Sequence, residues 1–183
     1  MNEKYELTEE FKEIETFRKG CFQKIKVYRI RALRAFADVK AGDLGGFVET
    51  KQNLSNRGNA WVYDNAKVYG DALVYGNAEV CNNARVYGDA RVYGDAWVYG
   101  NAEVCGDAKV YGNGNIFWCS SIGSRHGTTT MFRNKDNGIT VTCGCFLGTL
   151  EEFAERVEKE HGENIFGKEY KLLIELAKIH LIK

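Results

Sequence analysis

The chain has 183 residues, and its 25 Lys+Arg balance 25 Asp+Glu, so the formal net charge at pH 7 is zero. That balance excludes a dedicated duplex nucleic-acid binder, whose affinity comes from many basic phosphate contacts, and no stretch is long and apolar enough to span a membrane. The opening MNEKYELTEEFKEIETF is acidic and polar, unlike a secretory signal, so a cytoplasmic location is expected, with the six cysteines (21, 81, 105, 119, 143, 145) kept as thiols.

Residues 1–47 come before the regular pattern of the chain. Within them Lys26-Val-Tyr-Arg-Ile-Arg-Ala-Leu predicts a strand, since Val27, Tyr28 and Ile30 are β formers. Ala41-Gly-Asp-Leu-Gly-Gly-Phe-Val predicts a turn into a first, irregular coil. The segment is expected to act as a cap, because an open end of a coiled β structure exposes core and unpaired edges.

From Asn59 a six-residue phrase repeats without a break: NAWVYD, NAKVYG, DALVYG, NAEVCN, NARVYG, DARVYG, DAWVYG, NAEVCG, DAKVYG and a worn NGNIFW. Ala and Val stand two apart, so in a strand both face the same side. The residue between them and the Tyr after Val face the other side. Gly-Asp, Gly-Asn, Asn-Asn or Asp-Asn then turns a corner, using residues that tolerate left-handed backbone angles. Val48 and Leu54 keep the inward spacing ahead of Ala60. A hexapeptide period predicts a parallel β-helix stabilised by coil stacking.

This repeat resembles the left-handed hexapeptide β-helix family, in which an aliphatic residue is followed four positions later by a small one, here Val62 and Ala66, then Val68 and Ala72. The resemblance covers roughly residues 48–122. It implies a left-handed parallel β-helix with three hexapeptides per coil, about 18 residues per turn, and a homotrimer of parallel prisms. An 18-residue turn sorts the outward residues into three faces. The first carries Trp61, Tyr63, Glu79, Cys81, Trp97, Tyr99, Asn115 and Phe117. The second carries Lys67, Tyr69, Arg85, Tyr87, Glu103 and Cys105, and the third Leu73, Tyr75, Arg91, Tyr93, Lys109 and Tyr111. Tyrosine ladders can simply stabilise stacked strands or be buried by other segments. On the third face, however, Tyr75, Tyr93 and Tyr111 beside Arg91 and Lys109 could stack a ring and neutralise phosphate.

Residues 123–183 change character. Thr128-Thr-Thr-Met-Phe-Arg and Ile139-Thr-Val-Thr-Cys flank Asn134-Lys-Asp-Asn-Gly, a hairpin signal. Thr149-Leu-Glu-Glu is a capping box that opens a helix ended by Gly162. A second helix is expected over Lys168–Ile182. The expected product is a small ββαα module beside a mainly β prism. The runs Ile122-Gly-Ser-Arg-His-Gly, Cys143-Gly-Cys-Phe-Leu-Gly and Arg31-Ala-Leu-Arg…Gly42-Asp-Leu-Gly-Gly-Phe-Val-Glu resemble short hexapeptide-repeat proteins of phages, prophages and bacteria. Some of those carry a provisional acyltransferase label, and the resemblance implies a phage or mobile-element origin and a host-cell cytoplasmic location.

Acyl transfer from acyl-CoA needs a general base, usually His. The repeats contain none, and His161 and His180 fall on the terminal helices, so His126 is the one candidate. Three coil histidines for zinc are absent, and Cys143-Gly-Cys145, with both thiols expected on one side of a strand, falls short of the roughly four ligands of a structural zinc site. No metal or cofactor is therefore expected. The sequence favours a non-catalytic binding protein, sequestering a small anionic nucleotide-like ligand or blocking a host defence protein, over an acyltransferase or a purely structural assembly protein. Its expected contacts are Tyr75, Arg91, Tyr93, Lys109 and Tyr111 on the third face, and Arg125, His126, Thr128 and Arg133 at the prism end.

Overall fold

A computed structural model of the chain describes residues 3–18 and 20–181. The fold is mainly β: a parallel β-solenoid of about four coils carrying two C-terminal helices. Nine two-residue strands form its walls: β4 (Trp61–Val62), β5 (Lys67–Val68), β6 (Leu73–Val74), β7 (Glu79–Val80), β8 (Arg85–Val86), β9 (Arg91–Val92), β10 (Trp97–Val98), β11 (Glu103–Val104) and β12 (Lys109–Val110). Three parallel walls result: β4-β7-β10, β5-β8-β11 and β6-β9-β12. The register is one coil, so Trp61 lies beside Glu79 and Glu79 beside Trp97. The three predicted faces are thus the three walls.

The interior is built as the repeat dictates. The repeat Ala and Val side chains from Ala60 to Val110 are buried to within 1% exposure, as are Val48 and Leu54. Small Ala beside branched Val fits a narrow prism, and apolar burial supplies the drive. At the corners, Gly76 has φ +73°, and a Cβ there would meet the Gly94 amide nitrogen of the next coil at 3.0 Å. Where a corner lacks glycine, Asp64 and Asn82 take positive φ instead.

The start of the prism is closed by a feature only half expected. The strand predicted at 26–33 is part of β2 (Cys21–Ala32), and the acidic residues before it form β1 (Tyr5–Arg18), its antiparallel partner. β2 pairs with β3 (Leu44–Val48), which continues the second wall by pairing with β5. The hairpin then leans over that wall: Ile14, Ile25 and Val27 pack with Phe47, Tyr69 and Tyr87. Tyr5 and Phe36 cover Trp61 edge-on, at 6.1 and 5.3 Å between ring centres. Lys4 is wholly buried and donates to the Ala60 carbonyl at 2.8 Å. Burial first, then the charge of Arg34, lowers its ammonium to about 8.

At the far end, residues 116–122, read from sequence as the worn tail of the repeat, leave the coil. They form β13 (Ile116–Ile122) of an antiparallel sheet with β14 (Gly127–Arg133), β15 (Ile139–Cys143) and β16 (Phe146–Thr149). The expected hairpin is β14–β15, and β13 and β16 flank it. Ile116 and Phe132 plug the prism. Thr130 Oγ accepts from the Glu103 amide at 3.1 Å, and Thr142 Oγ donates to the Glu103 carbonyl at 3.2 Å. The other side of the sheet, with Met131, Ile139 and Val141, packs against α1 (Leu150–His161) and α2 (Ile165–Leu181). The predicted capping box at Thr149 and Glu152 forms, and Gly162 ends α1. α2 begins three residues before Lys168 because Asn164 Oδ1 accepts from the Gly167 amide at 2.9 Å. Ile182, the expected last residue of this helix, lies outside the described residues.

Candidate functional site

On the third face, β6, β9 and β12 align Leu73, Arg91 and Lys109 in one column and Tyr75, Tyr93 and Tyr111 in the next. Tyr75 and Tyr93 stack at 4.8 Å with 2° between their planes, which is the rung spacing of a parallel wall. Tyr93 and Tyr111 are 6.0 Å apart and tilted by 39°. The ring faces of the ladder are therefore turned toward one another, and no base can enter between them. Tyr111, on the last rung, is 55% exposed and is the ring with a face to offer. Burial, then the neighbouring Tyr93, pushes the Tyr75 hydroxyl up, while Arg91 pulls it down. Arg91 and Lys109 are both exposed, and neither makes an ion pair among the described residues. Beside them runs a corner column of Asp71, Asp89 and Asp107, of which Asp107 is paired with Lys135 at 3.1 Å.

The second face contrasts with it. Arg85 is paired with Glu103, Tyr69 and Tyr87 stack at 5.0 Å, and the hairpin lies on top. Arg18 at the tip of β1 donates twice to Glu49, at 3.0 and 2.6 Å, and the Gly70 amide donates to the same carboxylate at 2.8 Å.

The four residues expected to gather at the prism end do not. Arg125 and His126 occupy the β13–β14 turn, where the His126 amide donates to the Gly123 carbonyl at 3.1 Å and His126 takes φ +48°. His126 and Thr128 share a polar cleft of about 260 Å³ with Ser120, Ser121, Thr142 and Glu103. Arg125 lines a neighbouring cleft of about 270 Å³ with Arg156, His161 and Tyr170. Arg133 sits at the opposite end of β14, and its Nε donates to the Leu181 carbonyl at 2.6 Å, tying the end of α2 to the sheet. It is a structural anchor, because the antiparallel pairing of β14 carries it six residues away from the turn.

Cys143 and Cys145 are also not paired on one strand side. Gly144 turns between them with φ +58°, leaving Cys143 half-buried at the end of β15 and Cys145 exposed. Among the described residues, no group of three or more His, Cys, Asp or Glu is placed to hold a metal ion.

Sequence reasoning missed a third opening. On the first face, Trp97 and Tyr99 meet Phe117 and Trp118 of β13 and His180 of α2 around a cleft of about 520 Å³. Trp97, Tyr99 and Phe117 share a face by the 18-residue spacing, which was the available signal. Trp118 and His180 arrive from outside the repeat, through the turn into β13 and the docking of α2, and no periodicity places them.

Comparison with known proteins yields a family match within the repeat and one partial relative. The family described as the YdcK Beta solenoid repeat matches residues 78–94 and 84–100. A 61-residue stretch is 34% identical to a protein of Escherichia coli (strain K12) described as "Uncharacterized acetyltransferase YdcK". That stretch is 33% of this chain and 19% of the relative, so the chain spans about a fifth of the length of the curated relative it matches. Repeat match and coil geometry agree that this is a hexapeptide-repeat β-solenoid.

Proposed function

We propose that this chain is a non-catalytic binding protein, whose solenoid presents a rigid surface to a nucleotide-like anion at the open end of the third face. The carrying observation is the pair of exposed cations, Arg91 and Lys109, that make no ion pair among the described residues and lie one rung apart beside the exposed ring of Tyr111. A phosphate there would gain charge-assisted hydrogen bonds, and a base could stack on Tyr111 but not within the ladder. The aspartate column alongside would select against highly charged polyphosphates. Calorimetric titration with a panel of linear and cyclic nucleotides tests this. Binding should weaken about tenfold or more in Arg91→Glu and in Tyr111→Ala. Unchanged affinity in both variants would reject the site.

The resemblance to phage-type hexapeptide proteins supports a use in counter-defence. A homotrimer would sequester a nucleotide-like immune signal, or block a host defence protein. Native mass spectrometry before and after exposure to extract from phage-challenged cells separates these. A trimer with discrete added mass supports sequestration, and a bare trimer moves the weight to a protein partner.

A second reading, acyl transfer from acyl-CoA, is favoured by the printed name of the relative and by His126 in its cleft of hydroxyls. His126 would take the proton from an amine or hydroxyl acceptor as it attacks the thioester carbonyl, and would return that proton to the coenzyme A sulfur as the C–S bond breaks and the thiol leaves. Acetyl-CoA turnover over a panel of acceptors, compared with His126→Ala, decides it, and equal rates would exclude that role.

A further inference from the structure

The helix α2 is apolar on two opposite faces. One is spent: Tyr170, Leu173, Ile174, Ala177 and Leu181 are buried with the C-terminal sheet and α1. The other carries Ile165, Leu172, Leu176 and Ile179, which are 64%, 74%, 49% and 68% exposed. With 3.6 residues per helical turn these four fall on one stripe, on the side of α2 away from the buried residues. A surface helix ordinarily puts polar residues there, as α1 does with its exposed Glu151, Glu155, Glu158 and Lys159. Four large apolar side chains in one line form a contiguous patch of the kind that marks an interface, unlike single exposed residues scattered over a surface.

The stripe complements itself in spacing and in charge. Ile165 stands seven residues before Leu172, and Ile179 seven after it, which is the spacing of a helix–helix seam. A two-fold axis beside Leu172 therefore brings Ile165 level with the partner's Ile179 and sets Leu172 against the partner's Leu172, with the helices antiparallel. Lys168 and Glu175 flank the stripe on one side. Lys168 is exposed and makes no ion pair among the described residues, and Glu175 is exposed and bonded to Lys178 at 2.8 Å, further round the same helix. The helical rise puts Lys168 about 6 Å before the axis and Glu175 about 4.5 Å after it. The axis reverses that order in the second copy, so Lys168 meets the partner's Glu175, and the contact occurs twice. A parallel pair would instead set Glu175 against the partner's Leu176.

We infer that the outer face of α2 is a two-fold interface that pairs the chain with a second copy of itself, helix antiparallel to helix, with Leu172 on the axis and a Lys168–Glu175 pair on either side of it. Burial of the four apolar side chains drives the association, and the charge pairs fix its direction. This contact is separate from the prism contact of a homotrimer: it doubles whatever assembly the prisms make.

The test is the mass of the intact protein by sedimentation over a dilution series. Leu172→Glu should halve the mass at matched concentration, because it sets two carboxylates on the axis, and its circular dichroism should match the parent, since Leu172 is 74% exposed. Lys168→Glu and Glu175→Lys should each weaken pairing about tenfold, and the double variant should restore it. Cross-linking keeps the proposal open to refutation if Leu172→Glu fails to fold. In a Cys21→Ser/Cys145→Ser background, which removes the two exposed thiols, Leu172→Cys should link to its own copy on mild oxidation. Ile165→Cys and Ile179→Cys should link to one another when mixed but neither to itself, because roughly 20 Å of helix separates each from its own copy. Equal masses for the parent and Leu172→Glu throughout the series, self-linking of Ile165→Cys, or a double charge variant as weak as the single ones would each overturn the proposal. Equal masses would leave the stripe to a different protein or a membrane surface. None of these results bears on nucleotide binding at Tyr111.

Discussion

The second and third faces are written in the same six-letter phrase, yet the molecule treats them oppositely. Tyr69 and Tyr75 occupy equivalent repeat positions, as do Arg85 and Arg91. Tyr69 is 3% exposed under the hairpin, whereas Tyr75 is only half-buried by its neighbours on the ladder. Arg85 has Glu103 one rung on, whereas Arg91 has Lys109. The difference shows that the repeat makes the surfaces and the non-repeating termini decide which of them is left open.

The largest expected effect comes from unseating the cover. Phe47 is wholly buried, with Lys12 Nζ and the Arg29 guanidinium 4.2 and 4.4 Å from its ring centre. Phe47→Ala should cost about 3–5 kcal/mol in a denaturant titration. Hydrogen exchange should rise across β1 and β2 while the third face stays protected. Uniform loss of protection would mean that the hairpin and the coils unfold as one unit.

The tyrosine pair sharpens the same contrast. Tyr69→Ala should cost about 3 kcal/mol, because it empties a buried site between Phe47, Val27 and Tyr87. Tyr75→Ala should cost about 1 kcal/mol, the value of one stacked partner on an open surface. Equal losses would show that the hairpin adds nothing to ladder stability.

Acid should act on the covered face first. Burial alone would push the Glu49 carboxyl up, but the Arg18 hydrogen bonds, the Gly70 amide and the Arg18 charge together hold it below its ordinary 4.5. A depressed folded-state pKa means stability that is present above pH 4.5 and lost as pH falls below it. The hairpin should therefore loosen below about pH 4.5 in the parent and show a smaller acid response in Glu49→Gln, read as exchange of the β1 amides.

The coil and its inward residues were legible because every repeat says the same thing. Ala, Val and a corner residue agree at each rung, and the faces follow from the period. The hairpin was not legible. β1 is rich in Glu, a poor strand former, and becomes a strand because β2 offers it a pairing edge. The prism-end site was misread for a related reason. Arg125, His126, Thr128 and Arg133 are close in sequence, but an extended β14 separates the last from the others. Tyr75, Tyr93 and Tyr111 do share one wall, as the period requires, while the direction of their ring faces depends on stacking that composition does not reveal. The aromatic cleft needed three separate segments to meet.

The arginine pair gives the smallest shift and the most direct comparison. Arg85→Glu sets two carboxylates one rung apart, beside Glu103 and beneath Tyr69 and Tyr87, where water is partly excluded. About 1–2 kcal/mol should be lost, from a missing pair and a new repulsion. Arg91→Glu, at the same place in the phrase one face round, replaces a cation–cation neighbour by an attractive Glu–Lys pair with Lys109. Its stability should change by no more than about 0.5 kcal/mol, in the stabilising direction. The same letter change thus carries opposite signs on two faces, and salt should shrink the third-face effect the more, because that site is the one open to screening. If Arg91→Glu were as destabilising as Arg85→Glu, the third face would be covered in solution, and the open surface on which anion binding depends would not exist.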